Sequence, residues 1–86
     1  MRYQISGKQI DIGDALQTHV KDGLGSAVSK YAERPTDASI IFSRSGSEYA
    51  CEAIVHLSTG MTASAKAKSH EIYSSFDQCC EKMEKQ

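Results

Sequence analysis

The sequence predicts an α+β domain ordered β-α-β-β-β-α, a four-stranded mixed sheet with two helices packed on one face. Three observations carry that expectation. The stretch 61–68, Met-Thr-Ala-Ser-Ala-Lys-Ala-Lys, alternates small or apolar residues with hydroxyl-bearing or cationic ones, the period-two pattern of a strand with one buried face. It runs directly into Ile72, Phe76, Cys79 and Met83, the i, i+4, i+7, i+11 stripe of an amphipathic helix. Two short Gly-Ser-rich turns, Ser45-Gly46-Ser47 and Ser58-Thr59-Gly60, separate three strand-like runs, and connections that short join antiparallel neighbours.

The elements follow in order. Arg2–Ser6 reads as a first strand with Tyr3 and Ile5 on one side and Arg2, Gln4 and Ser6 on the other. Gly7-Lys8-Gln9 turns the chain, and Ile10 and Ile12 are placed to tuck under the coming helix. Gly13 serves as an N-cap with Asp14 in the first turn, where the helix dipole favours a negative charge. Leu16, Val20, Leu24, Ala27, Val28 and Tyr31 then hold a helical stripe over about 14–33. Gly23 and Gly25 interrupt it at a cost of roughly 1–2 kcal/mol relative to alanine. That cost fits either a soft helix or one pressed against a close neighbour.

Arg34-Pro35 ends the helix, because a residue before proline avoids the α region. Asp37–Arg44 is the second strand. Tyr49–Leu57 is the third, with Cys51, Ala53, Val55 and Leu57 facing one way and Glu52, Ile54 and His56 the other. After the strand at 61–68, Ser69 offers an N-cap oxygen and Glu71 a first-turn negative charge to the last helix.

The first strand reaches the second through a helix, so the two are expected to be parallel neighbours joined by a right-handed crossover. The strand order is then 1-2-3-4. Each helix has one apolar stripe, so both must cover the same sheet face, the one bearing Val55, Leu57, Ala63 and Ala65. The alanines allow a helix to lie close. The other face stays open and carries Ser39, Ile41, Ser43, Glu52, Ile54, His56, Thr62, Ser64, Lys66 and Lys68.

Eighty-six residues with 40% hydrophobic content make one domain, 1–86, burying roughly 60% of the unfolded chain's surface. No apolar run approaches the roughly 18 residues of a membrane span, and Met-Arg-Tyr-Gln-Ile lacks a signal-peptide pattern. A cytoplasmic protein without a membrane partner is expected. Three cysteines, Cys51, Cys79 and Cys80, show no CxxC spacing and read as small hydrophobes rather than a disulfide scaffold or a nucleophile. His19, His56 and His70 stand apart, with no metal-ligand spacing. The glycines form no phosphate-binding loop. No cofactor, metal, small-molecule substrate or enzymatic activity is expected.

Ten Lys and Arg against eleven Asp and Glu leave a formal charge of −1, so the total gives nucleic-acid binding no support. Position matters more. Lys66 and Lys68 share one strand face beside the last helix, and Lys82 and Lys85 share that helix's wet side. Lys21, Lys30 and Arg34 come from the first helix, with Lys21 and Lys30 on opposite flanks. By composition alone these are ordinary solubilising lysines. Gathered along the outer ridge of two side-by-side helices, they would form a phosphate-contacting surface.

A family resemblance favours the second reading. It is carried by the element order, by Tyr3-Gln-Ile-Ser-Gly-Lys-Gln-Ile-Asp-Ile with Ala15-Leu16 and His19-Val20, by Cys51-Glu-Ala-Ile-Val-His-Leu57, and by Ala63-Ser-Ala-Lys-Ala-Lys-Ser-His-Glu-Ile-Tyr-Ser-Ser-Phe-Asp77. Over nearly the whole chain these residues resemble the ribosome hibernation-promoting factors, also called ribosome-associated inhibitors or sigma-54 modulation proteins. The resemblance implies binding to the small ribosomal subunit in the mRNA and tRNA channel, silencing translation under stress in bacteria. Carried over by position, it implies rRNA contacts at Lys21, Lys30, Arg34, Lys66, Lys68, Lys82 and Lys85, with Tyr73 and Phe76 packing. The last helix is still in phase at Gln86 without a stop signal. The chain is therefore expected to be the N-terminal domain of a longer protein, and the resemblance implies that ribosome dimerisation lies in a separate C-terminal domain.

Two other readings remain open. Residues 14–86 alone read α-β-β-β-α with Lys66-Ala-Lys68 before the last helix, as in double-stranded-RNA-binding domains, although these do not need the leading strand. Exposed Ile41 and Ile54 on the open face would instead suit a protein-interaction module.

Overall fold

The computed structural model of the protein describes residues 2–29 and 34–85. Its elements are β1 (Arg2–Gly7), α1 (Asp14–Val28), β2 (Pro35–Ser45), β3 (Glu48–Leu57), β4 (Thr62–Ser69) and α2 (Ile72–Glu84). The sheet order is β1-β2-β3-β4. β1 runs parallel to β2, while β2–β3 and β3–β4 are antiparallel. The α+β architecture expected from the alternating and striped segments is the one observed.

Both helices cover one face. Ile40 and Phe42 of β2, Cys51, Ala53 and Val55 of β3, and Ala63, Ala65 and Ala67 of β4 form the buried floor. Leu16, Val20 and Leu24 of α1 and Phe76, Cys79 and Met83 of α2 close over it. α1 sits toward β1, where the Tyr3 hydroxyl donates to the Lys21 carbonyl at 3.4 Å. α2 lies over β4, where the Cys79 thiol donates to the Ala65 carbonyl at 3.3 Å. The alanine strip permits that approach, because a longer side chain would hold the helix off the strand.

Gly23 is explained by the second helix. A Cβ there would stand 2.8 Å from Cε2 of Phe76, a fully buried ring, so the glycine lets α1 and α2 meet. Gly25 has only the Tyr3 hydroxyl at 3.5 Å, an ordinary contact. Of the two interpretations of this helix, close packing applies at Gly23. In the β2–β3 hairpin Gly46 takes φ of 63° while Ser47 does not, the pattern of a type II′ turn.

Several boundaries differ from the sequence reading. The helix described as α1 ends at Val28, and Tyr31 and Lys30 lie outside the described residues. β2 begins at Pro35 rather than Asp37, with a register irregularity between Pro35 and Asp37, where a first-residue proline is tolerated. Ser69 is not the N-cap of α2: it pairs with Tyr49 as the last residue of β4, and the ladder holds it extended. The cap is Glu71, whose N–H reaches the Ser69 hydroxyl oxygen at 3.4 Å. Met61, expected on the buried strip, precedes β4 and is 61% exposed. Ser75 is buried, its hydroxyl satisfied by the Ile72 carbonyl at 2.6 Å.

Candidate nucleic-acid interface

Strand register sets the open face in rows. Ser6, Ile41, Glu52 and Lys66 stand side by side across the four strands, and Ser43, Ala50 and Lys68 form the row beside them. β1 is prolonged past Gly7 by the Lys8 N–H donating to the Phe42 carbonyl at 2.8 Å. This brings Lys8 to the end of the Ser43–Ala50–Lys68 row. From the sequence alone Lys8 falls in the Gly7-Lys8-Gln9 turn, outside the expected set of contacts. The available signal was parity, since Lys8 continues the open-face series Gln4, Ser6.

A groove of about 350 Å³ lies over these rows, lined by Lys8, Ser43, Ala50, Glu52, Lys66 and Lys68 among others. Serine and alanine keep its floor low between Lys8 on one edge and Lys68 on the other. Glu52 reaches Lys66 at 3.6 Å, an exposed pair of the kind that contributes about 0–1 kcal/mol. Arg44 has the opposite parity, continuing Ile40 and Phe42 on the helix side, and its guanidinium carbon is 5.0 Å from the centre of the Tyr49 ring. Ile41 and Ile54, expected to be exposed, are half-buried between their row neighbours. At the opposite end of the face His56 hydrogen-bonds Thr62 at 3.1 Å.

The lysines of the helices are not gathered with these, nor with each other. α1 faces α2 through His19 and Gly23: His19 meets Asp77 at 2.7 Å and sets its ring edge-on to Tyr73, with centroids 5.0 Å apart. Lys21, two residues from each, is turned about 200° from that side. α2 faces α1 through Tyr73, Phe76, Asp77 and Cys80, so Lys82 lies on its far flank. There its ammonium donates to the Lys66 carbonyl at 2.7 Å, closing an outward carbonyl of the edge strand β4. Lys21 and Lys82 therefore occupy opposite outer flanks rather than one ridge. Lys85 and Arg34 are exposed, and Lys30 is outside the described residues.

The helix spans are acidic: α1 carries Asp14, Lys21 and Asp22, and α2 carries Asp77, Glu81, Lys82 and Glu84. The single ridge of positive charge expected from the sequence is absent among the described residues, because residues of matching sign fall on different flanks.

Neither the cysteines nor the histidines assemble a reactive centre. Cys51 and Cys79 are buried free thiols and Cys80 is half-buried. Hydrogen bonding with Cys79, then burial, pushes the Cys51 thiol up. Burial, followed by the neighbouring Cys79, raises Cys80 to about 12. Thiols held neutral, as at Cys51 and Cys80, are poor nucleophiles, whereas hydrogen bonding with Cys51 lowers the Cys79 thiol, which is fully buried. Among the described residues no three His, Cys, Asp or Glu groups come together to hold a metal. Among the described residues no helix is long and apolar enough to cross a membrane.

Residues 3–86 match the family model described as sigma 54 modulation protein / S30EA ribosomal protein. A ribosome hibernation promotion factor of Rhizobium meliloti is 31% identical over 85 residues, covering 99% of this chain and 45% of its own length. One of Bradyrhizobium diazoefficiens is also 31% identical, covering 99% of the chain and 42% of its own length. This chain thus spans less than half the length of those two relatives. Among solved structures, a ribosomal subunit interface protein of Coxiella burnetii superposes with a TM-score of 0.86 at 26% identity, covering 99% of this chain and 91% of its own. The N-terminal domain of Thermus thermophilus Protein Y has the same fold, with a TM-score of 0.86 at 20% identity over 99% of this chain and 93% of its own. The named relatives are ribosomal factors rather than enzymes. With its sheet order, helix placement and nearly full-length match in agreement, the chain belongs to the sigma 54 modulation protein / S30EA ribosomal protein family.

Proposed function

We propose that this domain binds the small ribosomal subunit in the cytoplasm, occupies the channel used by mRNA and tRNA, and silences translation under stress, promoting ribosome hibernation. The observation that carries the reading is the family match over residues 3–86, together with relatives named as ribosome hibernation factors. The domain acts by occupancy and does no chemistry. Its contacts are ammonium and guanidinium groups on rRNA phosphates, which fix position without reading sequence. Lys21, Lys30, Arg34, Lys66, Lys68 and Lys85 are the proposed contacts. Lys82 belongs to the same set, but its bond to the Lys66 carbonyl makes it first a residue that positions β4. The same reading assigns ribosome dimerisation to a separate C-terminal domain.

Co-sedimentation of the 86-residue chain with isolated small subunits tests the binding, and inhibition of a purified translation system tests the outcome. The expected result is saturable co-sedimentation at ~50 mM salt that weakens steeply as salt rises. Failure to co-sediment and to inhibit would overturn the reading.

A further inference from the structure

Among the described residues, the hairpin end of the open sheet face holds a groove whose charged side chains are mostly cationic: Lys8, Lys66 and Lys68 against the carboxylate of Glu52. The second groove on this face, at the Arg2 end, balances Arg2 with Asp37. The helix spans opposite are net acidic. We infer that the hairpin end of the open sheet face is a binding site for a single strand of RNA, held by its phosphodiester backbone between Lys8 on the β1 edge and Lys66 and Lys68 on the β4 edge.

The geometry argues for one strand. Three inter-strand steps separate the Lys8 and Lys68 columns, roughly 14 Å, and the short side chains of Ser43 and Ala50 keep the trough open between them. Lys66 and Lys68 are two residues apart on one strand, roughly 7 Å, so they can engage successive phosphates. No aromatic ring stands on the floor for bases to stack on, in contrast to the usual single-strand platforms. Recognition is therefore electrostatic, sequence-tolerant and strongly salt-dependent. Glu52 opposes it: its carboxylate sits on the floor against Lys66, and Glu48 is placed one row beyond at the hairpin. RNA must displace the Glu52–Lys66 pair to be held by all three lysines. The choice of RNA over other polyanions rests on the ribosome reading above, whereas the choice of face rests on the groove itself.

The test is fluorescence anisotropy of a short labelled oligouridylate titrated with the chain from ~50 mM salt upward, alongside co-sedimentation of the wild type with small subunits. Replacing Lys8→Gln and Lys68→Gln together should weaken binding several-fold and flatten the log–log salt slope by about 1.4, or 0.7 per lost contact. Lys8→Arg with Lys68→Arg should restore both. Glu52→Gln should tighten binding about two- to fivefold, the span of an exposed ion pair, a gain that a purely structural role would not produce. All three side chains project from the open face, and unchanged melting curves would exclude unfolding. An oligomer that does not bind, or whose affinity and slope ignore the lysine pair and Glu52, overturns the inference. If the wild type sediments with subunits while these variants change nothing, only this inference falls. If it does not sediment, yet oligomer binding depends on Lys8 and Lys68, the groove stands and the ribosome reading falls.

Discussion

The helix layer and the open sheet face differ in both charge and packing, and the difference separates stability from recognition. Across the two helices, Asp14, Asp22, Asp77, Glu81 and Glu84 face Lys21 and Lys82. At the hairpin end of the open face the groove has the reverse bias. The helix side is closed by large buried groups: Phe76 lies against Gly23 and within 6.5 Å of the Phe42 ring, centroid to centroid. The open face has short side chains between flexible lysines. A formal charge of −1 is thus a sum over two unlike surfaces and describes neither.

The sharpest way to break the contrast is at its packed side. Phe76→Ala should cost about 3–5 kcal/mol, read as a fall in the denaturation midpoint. Any binding loss should then follow unfolding rather than precede it. Gly23→Ala is the subtler probe of the same contact. Helix propensity alone would make it stabilising by up to ~1 kcal/mol. The added methyl meets the Phe76 ring, so overpacking should dominate and the net change should be a loss of about 1–3 kcal/mol.

Alkaline pH should loosen the helix side next. A thiol whose native value is raised keeps its proton while the unfolded chain loses one. The stability it contributes is therefore complete below the unfolded value of 9.0 and is lost as pH rises through about 12. The Tyr3 hydroxyl, raised by burial and then by Asp22, acts in the same direction. Denaturation midpoints should fall across that window, and Cys80→Ser should flatten the fall. An unchanged profile in Cys80→Ser would remove the thiol from this account.

Gly25→Ala sharpens the comparison from within one helix. With only an ordinary contact to Tyr3, it should gain about 0.4–1 kcal/mol, opposite in sign to Gly23→Ala two residues away. The smallest stability effect belongs to the open face. Lys8→Gln with Lys68→Gln should stay within about 0.5 kcal/mol by thermal denaturation while altering RNA binding. A large stability loss there would abolish the division of labour between the two faces.

The sequence by itself determined the elements, their order and which face each buries. Period-two and period-3.6 patterns are local, and the short turns at 45–47 and 58–60 leave the last three strands little choice but a meander. β1 was legible in the same way. Its pairing with β2 from Arg2↔Asp37 to Gly7↔Phe42 makes the strand integral to the sheet, which sets this fold apart from a three-stranded double-stranded-RNA module.

What tertiary structure alone decided depends on groups far apart in the chain. The use of Gly23 is settled by Phe76, and the end of β4 by the pairing of Ser69 with Tyr49. The lysines were visible as residues but not as surfaces. Lys82 is drawn to the carbonyl of Lys66, Lys21 is turned away from α2, and Lys8 joins Lys68 across four strands. Helical phase specifies the direction of a side chain only relative to its own axis. Where that axis lies, and what stands across from it, is set when the helices dock and the strands take their register.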